Sequence, residues 1–172
     1  PLQSGSDKIL GNMRRGYKRD LYKNCVEKIK SVLPDACIGV DVIVGFPGET
    51  NNDFLNTYNF LNELEISYIH VFTYSERQDT DAVKMGETVS KEKRAERSRM
   101  LHILSDKKRR LFHDQFLNQR RPVLFENMKN GKLLGHTDNY IQIQMEGTPD
   151  LINTIHSVKL SKNYGGYVQG IL

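Results

Sequence analysis

Near Pro122 the spacing of apolar residues changes its period once, and that change limits the fold more than any single motif. Before it, helical and strand-like segments alternate. Leu21, Tyr22, Cys25, Val26, Ile29, Val32 and Leu33 recur at 3.6-residue spacing, so residues 20–33 read as an amphipathic helix stopped by Pro34, with Cys25 buried on its apolar stripe. Residues 36–46, ACIGVDVIVGF, are a β-branched run of strand length. Alternation puts Val40, Val42, Val44 and Phe46 on one face and Gly39, Asp41, Ile43 and Gly45 on the other. A carboxylate on that second face must be paired or meet a wet cavity. Pro47-Gly48 marks a turn, Thr50 and Asp53 have capping-box spacing, and a helix over 51–64 follows. The next strand is 66–75, with Tyr68, His70, Phe72 and Tyr74 on one face and Ile69, Val71 and Thr73 on the other. Strand, helix and strand in this order predict a right-handed βαβ unit on a parallel sheet. Closing an eight-stranded α/β barrel takes about 250 residues, so 172 allow only part of one.

Residues 76–89 are polar and aperiodic, and from Ser90 a long charged helix begins, with Leu101, Leu104, Leu111, Phe112 and Phe116 as its apolar anchors. Beyond Pro122 the period is two. Five short strands are expected, at 123–126, 132–136, 140–145, 156–160 and 167–172, separated by turn signals such as Asn130-Gly131 and Gly165-Gly166. Such a set suits a small antiparallel barrel of the oligonucleotide-binding kind. The expected division is therefore an α/β part over 1–112, including the basic helix from about 90, and a β-barrel over 113–172.

Charge is segregated along the chain. Residues 1–83 hold 9 basic and 12 acidic groups, 84–121 hold 12 and 5, and 122–172 hold 4 and 4. The positive field of the middle segment, with Lys107, Lys108, Arg109 and Arg110 in a row, suits a polyanion. Two cysteines, Cys25 and Cys37, twelve apart, form no C-x-x-C pair and cannot alone hold a metal or cluster. No apolar run approaches membrane-spanning length, so a cytoplasmic protein is expected. The opening Pro1-Leu2-Gln3, without an initiator Met, reads as the edge of a longer protein.

Three segments in order, PLQSGSD at 1–7, DVIVGFPGET at 41–50 and HVFTYSERQDT at 70–80, resemble the carboxyl half of the radical S-adenosylmethionine domain of the methylthiotransferases, above all the threonylcarbamoyladenosine tRNA branch. The tail, with VLFE at 123–126 and GHTDNYI at 135–141, resembles the TRAM barrel that closes these enzymes and contacts tRNA. The resemblance implies a partial TIM-like barrel followed by an OB-like barrel. It also implies an enzyme that cleaves S-adenosylmethionine reductively and adds a methylthio group to N6-threonylcarbamoyladenosine at tRNA position 37. Two [4Fe-4S] clusters would serve the parent, with ligands outside this chain, so the isolated chain is expected to be inactive. Where the family pattern has Arg-x-Gly-Thr-Pro, this chain has Arg77-Gln78-Asp79-Thr80-Asp81, which predicts a more mobile loop.

Candidate cofactor-binding residues are Gln3, Ser4 and Ser6 at one strand end, Asp41, Ile43, Gly45, Pro47 and Glu49 along and after the next strand, and Arg77 after the third. His70 is a candidate for substrate positioning. Lys107, Arg110, Lys132, Tyr140 and Tyr164, with Tyr167, Lys159 and Lys162, are candidates for phosphate contact and base stacking on the tRNA anticodon stem-loop. The other partner is the missing amino-terminal part of the same protein. A competing reading is a nonenzymatic RNA-binding protein made of a βαβ unit and a small barrel.

Overall fold

A computed structural model describes all 172 residues, and the chain divides into two compact units, Pro1–Ser105 and Asp106–Leu172. In the first unit β1 (Gly39–Val44) and β2 (Tyr68–Thr73) pair in parallel, from Gly39 opposite Tyr68 to Val44 opposite Thr73. Gln3 extends the sheet from the other edge of β1 through a parallel bridge to Val42, its N–H donating to the Asp41 carbonyl at 2.9 Å. The β-branched face is the buried one. Val40, Val42 and Val44 are fully buried against Phe54, Phe60 and Leu61 of α3 (Asn51–Glu63), with Leu2, Leu101 and Leu104 completing the cluster. Thr50 and Asp53 form the expected capping box at the start of α3. A short helix α1 (Asp7–Asn12) starts on a Ser6 N-cap.

Helix α2 (Arg19–Val32) forms where its period predicts, but it docks by one flank only. Val26 is buried and Tyr22 packs on the core, whereas Leu21, Ile29, Val32 and Leu33 are 43–70% exposed and Cys25 is exposed. The expectation of a buried Cys25 is thus corrected. At 100° per residue, Tyr22, Val26 and Lys30 turn one way, and Leu21, Cys25 and Ile29 lie beside them on the open flank. In α4 (Lys91–Asp114) the same one-residue rotation separates buried Phe112 from Leu111, which is 52% exposed and no anchor.

In the second unit β3 (Arg120–Lys129), β4 (Lys132–Thr137), β5 (Gln142–Glu146), β6 (Ile155–Asn163) and β7 (Val168–Ile171) close in the order β3-β4-β5-β7-β6. Val123, Phe125, Leu133, Ile141, Ile143, Val158, Leu160 and Val168 fill the interior. The barrel is mixed rather than wholly antiparallel, because β5 and β7 pair in parallel. A closed ring with an odd number of strands cannot alternate direction all the way round, so five strands require at least one parallel pair.

Candidate cofactor cleft and nucleic-acid surface

The sheet face opposite the valines carries polar groups in register. Asp41 stands opposite His70, and their side chains hydrogen-bond, Nδ1 to Oδ1 at 3.1 Å. A carboxylate only accepts, so Nδ1 bears the hydrogen. The Tyr68 ring lies 5.0 Å from the His70 ring and covers Gly39, where an added Cβ would come within 2.4 Å of it. A cleft of about 680 Å³ opens on this face, lined by Gln3, Asp41, Ile43, Phe72, Tyr74 and Arg77 among others. Gln3 has φ 72, an uncommon left-handed conformation for a non-glycine residue and one that recurs at ligand sites. A second cleft of about 660 Å³ shares Ile43, Tyr74 and Ala82 with the first and adds Met13, Phe46 and Met85. Tyr74 lines both clefts, and its hydroxyl is buried without a hydrogen-bond partner. Both clefts lie toward the carboxyl ends of parallel strands, the usual place for ligands in open α/β sheets.

Other candidates support the cleft from behind. Ser4 is fully buried with its Oγ 3.2 Å from Thr57 Oγ1, and Ser6 Oγ donates to Asp53 Oδ1 at 2.8 Å, so both hydroxyls face α3 rather than the cleft. Glu49 is also buried, its Oε1 accepting from Arg97 Nη1 at 2.5 Å and from the Gly45 N–H at 3.0 Å. Pro47 is buried beside it, and Gly45 has φ 77, with an added Cβ 2.3 Å from Arg94 Cγ. Only glycine serves there. Asp79 has φ 65, a left-handed conformation that Asp adopts more readily than most residues other than glycine.

Burial pushes the Asp53 carboxyl up, but hydrogen bonds from the Thr50 hydroxyl and N–H, from Ser6 and from Lys8 outweigh it and hold the group at about 2 against an ordinary 3.8. A depressed carboxyl stabilises the fold above its unfolded value and loses that contribution as pH falls through its folded value. The stability gap between wild type and Asp53→Ala should therefore narrow by about 2 kcal/mol between roughly pH 5 and pH 2. Urea titrations across that range check it, and a gap independent of pH would contradict it.

The barrel end at the start of β3 collects most of the second candidate set. Thr137 Oγ1 bonds Asn139 Oδ1 at 2.6 Å and accepts from the Ile141 N–H at 2.9 Å, closing a turn that leaves Tyr140 79% exposed at φ 64. Asp138 anchors this turn through a two-pronged pair with Arg121, both contacts at 2.9 Å. The strand registers place the turn after β6 at the same end. There Tyr164 stacks on Tyr167 at 5.0 Å, and the Lys162 amine lies 5.1 Å from the Tyr164 ring centre. Asn163 Nδ2 donates to the Arg110 carbonyl at 3.0 Å, and an added Cβ on Gly165 would come within 2.9 Å of the Arg110 guanidinium. Arg110, Lys162, Tyr164 and Tyr167 thus come together, and exposed Lys107 precedes Arg110 by one helical turn. Lys159 pairs with Arg120 near this end, but Lys132 opens β4 at the opposite end of the barrel and does not join them.

Sequence reasoning missed Tyr74, which lines both clefts, and the buried Arg94 and Arg97 of α4. Their three-residue spacing, one helical face, was the available signal within a run of charges. Neither cysteine joins a cluster of metal-ligating side chains, Cys25 being exposed on α2 and Cys37 half-buried before β1.

Comparison with known proteins places these features. Residues 1–61 match the radical SAM superfamily. The chain is 37% identical over 175 residues to the threonylcarbamoyladenosine tRNA methylthiotransferase MtaB of Bacillus subtilis, covering 99% of this chain and 39% of that protein. It is 42% identical over 146 residues to the protein of the same name from Aquifex aeolicus, covering 85% and 35%. To the tRNA-2-methylthio-N(6)-dimethylallyladenosine synthase of Wolinella succinogenes it is 35% identical over 177 residues, covering 99% and 40%. Matched along nearly its whole length, the chain is similar to tRNA methylthiotransferases of the radical SAM superfamily and spans about two fifths of the length of these relatives.

Proposed function

We propose that this chain is the carboxyl part of a cytoplasmic enzyme that adds a methylthio group to N6-threonylcarbamoyladenosine at tRNA position 37. In this reading residues 1–112 complete the S-adenosylmethionine domain begun by an amino-terminal part of the same protein, and 113–172 form a TRAM-like barrel on the anticodon stem-loop. The observation that carries it is the pair of adjoining clefts at the strand ends, which share Ile43 and Tyr74, the first gathering Gln3, Asp41 and Arg77 beside them. These residues suit S-adenosylmethionine. The backbone from Ile43 to Phe46, including Gly45, would flank the adenine, Gln3 would hydrogen-bond a polar part of the cofactor, and the Arg77 guanidinium would pair with its carboxylate. Ser4, Ser6 and Glu49 hold the loops that shape the cleft. Once bound, S-adenosylmethionine supplies by reductive cleavage the power to activate a C–H bond of the base. The two [4Fe-4S] clusters take their ligands from the rest of the parent, since Cys25 and Cys37 lie on separate elements and match no cluster position.

The test compares this chain with its parent under anaerobic reconstitution with iron and sulfide. The parent should bind clusters and methylthiolate tRNA carrying threonylcarbamoyladenosine, while the isolated chain forms neither a stable [4Fe-4S] absorption nor 5′-deoxyadenosine. A parent that binds tRNA without modifying it would favour the nonenzymatic reading.

Binding to tRNA is expected to weaken steeply with salt, because neutralising phosphates releases counterions. Replacing Lys107 and Arg110 together with Gln should lower the salt slope by about 1 for each phosphate that is no longer neutralised. Replacing Tyr140 with Leu should lower affinity at nearly constant slope, since base stacking is worth about 1 to 3 kcal/mol and displaces few ions. An unchanged slope in the double variant would mark that helix face as merely solvated.

A further inference from the structure

We propose that His70, held by Asp41, reads the polar arm of the modified adenosine and makes the site selective for a threonylcarbamoyl group over a hydrocarbon one; this rests on the tRNA methylthiotransferase reading above. The relatives fall into two substrate chemistries by name, one threonylcarbamoyl and one dimethylallyl. The first arm carries N–H and O–H donors and a carboxylate, and the second carries no polar atom. The open sheet face is polar where the arm would meet it. Asp41 accepts the Nδ1 hydrogen of His70, so in the neutral ring the hydrogen sits on Nδ1 and Nε2 is an acceptor with no partner in the protein. The Tyr68 ring packs beside the imidazole, its centre 5.0 Å away. Asp41 lines the larger cleft with Gln3 and Arg77, and His70, its exposed register partner, stands beside it on the same open face.

The fold has little need of this pair. The His70 and Asp41 side chains are 58% and 43% exposed, and a polar contact that open adds little to stability. Its consequence is for a ligand that covers it. A donor on the arm satisfies Nε2, whereas a hydrocarbon arm would strip water from Nε2 and Asp41 and return nothing. Sites built to hydrogen-bond a substrate N–H or O–H reject analogues lacking it far more strongly than apolar pockets reject an extra polar atom. Toward the arm of the base, Asp41 is therefore a positioning residue that acts through His70.

The experiment is an imidazole ¹⁵N titration of the 172-residue chain with N6-threonylcarbamoyladenosine and, separately, with N6-dimethylallyladenosine. The Nε2 resonance of His70 should move with the first nucleoside and not with the second. His70→Phe should weaken binding of the first at least tenfold, and His70→Gln, which keeps a side-chain acceptor, should recover part of the loss. Asp41→Leu should weaken it too while mixing the two tautomers in the free chain, and the Nε2 response to the first nucleoside should shrink with it. Thermal midpoints of all three variants guard against loss of fold. Equal responses to the two nucleosides, no response to either, or undiminished binding in His70→Phe would overturn the proposal. Failure of the underlying reading shows elsewhere, as a wild-type parent that methylthiolates no tRNA.

Discussion

Replacing Arg97 with Leu is expected to lower the unfolding free energy by about 3 to 5 kcal/mol at neutral pH, the cost of leaving a buried charge without its partner. The Arg97 and Glu49 side chains are 6% and 2% exposed and meet at 2.5 Å. Arg97 also donates to the Glu49 carbonyl at 3.2 Å and to Asn51 Oδ1 at 2.8 Å. One side chain thus binds the start of α3, the loop after β1 and the carboxylate that accepts from Gly45. Burial pushes the Glu49 carboxyl up, and the Gly45 hydrogen bond and the Arg97 charge only partly offset it. A carboxyl raised in the folded state costs stability above its folded value, and the cost disappears below its unfolded value, where the group is neutral in both states. The Arg97→Leu defect should therefore be largest near pH 7 and shrink below about pH 4.5. Adding Glu49→Gln to Arg97→Leu should recover part of the loss at pH 7 by removing the unpaired charge. Urea unfolding at both pH values decides it. A defect under about 1 kcal/mol at pH 7, or one that does not change with pH, would mean that solvent reaches Glu49 and takes over from the arginine.

This pair also marks where the sequence stops being legible. Alternation over 36–46 revealed both faces of β1, including the outward Asp41, because a strand's period is a local property. The capping box at Thr50 and Asp53 was equally local, as was the change of period that separates the α/β unit from the barrel. Arg97 and Glu49 are 48 residues apart, and on its helix Arg97 is one basic residue among several that solvent accepts equally well. Only the packing of α4 on the β1 loop selects it. The serines were half legible: their position at a strand end was local, but whether a hydroxyl turns toward the cleft or toward Thr57 and Asp53 depends on partners about fifty residues away. Helix α2 shows the limit of periodicity, since the 3.6 period defines a stripe without saying which flank is covered. In the barrel the strands were legible and their ends were not compared. Tyr140 and Tyr164 share an end with Arg110, while Lys132 lies at the other, a consequence of register that composition cannot reveal.

The motif GHTDNYI at 135–141 makes a last expectation possible, because its first residue is needed for a reason unrelated to RNA. A Cβ on Gly135 would lie 2.2 Å from the Leu124 carbonyl oxygen, 2.9 Å from the Leu124 carbonyl carbon and 3.0 Å from Phe125 Cα. All three are backbone atoms of the paired strand, so no side chain can rotate away. The site also adjoins the register shift between Phe125 and Asn127, where β3 already bends. A closed ring has no free edge through which the strands can spread. Overpacking usually costs about 1 to 3 kcal/mol, and an immovable neighbour in a closed barrel puts Gly135→Ala at about the upper figure. Gly166→Ala is the control, since its added Cβ meets nothing within 4 Å and its φ is not left-handed. That substitution should change stability by about 0.5 kcal/mol or less. Spreading β3 from β4 also moves Thr137 and Asn139, which hold Tyr140 outward, so Gly135→Ala should weaken tRNA binding along with stability. If Gly135→Ala unfolds like wild type, β3 and β4 stand further apart than the Phe125–Gly135 pairing requires, and the barrel closes less tightly at the strand pair that carries the Tyr140 turn.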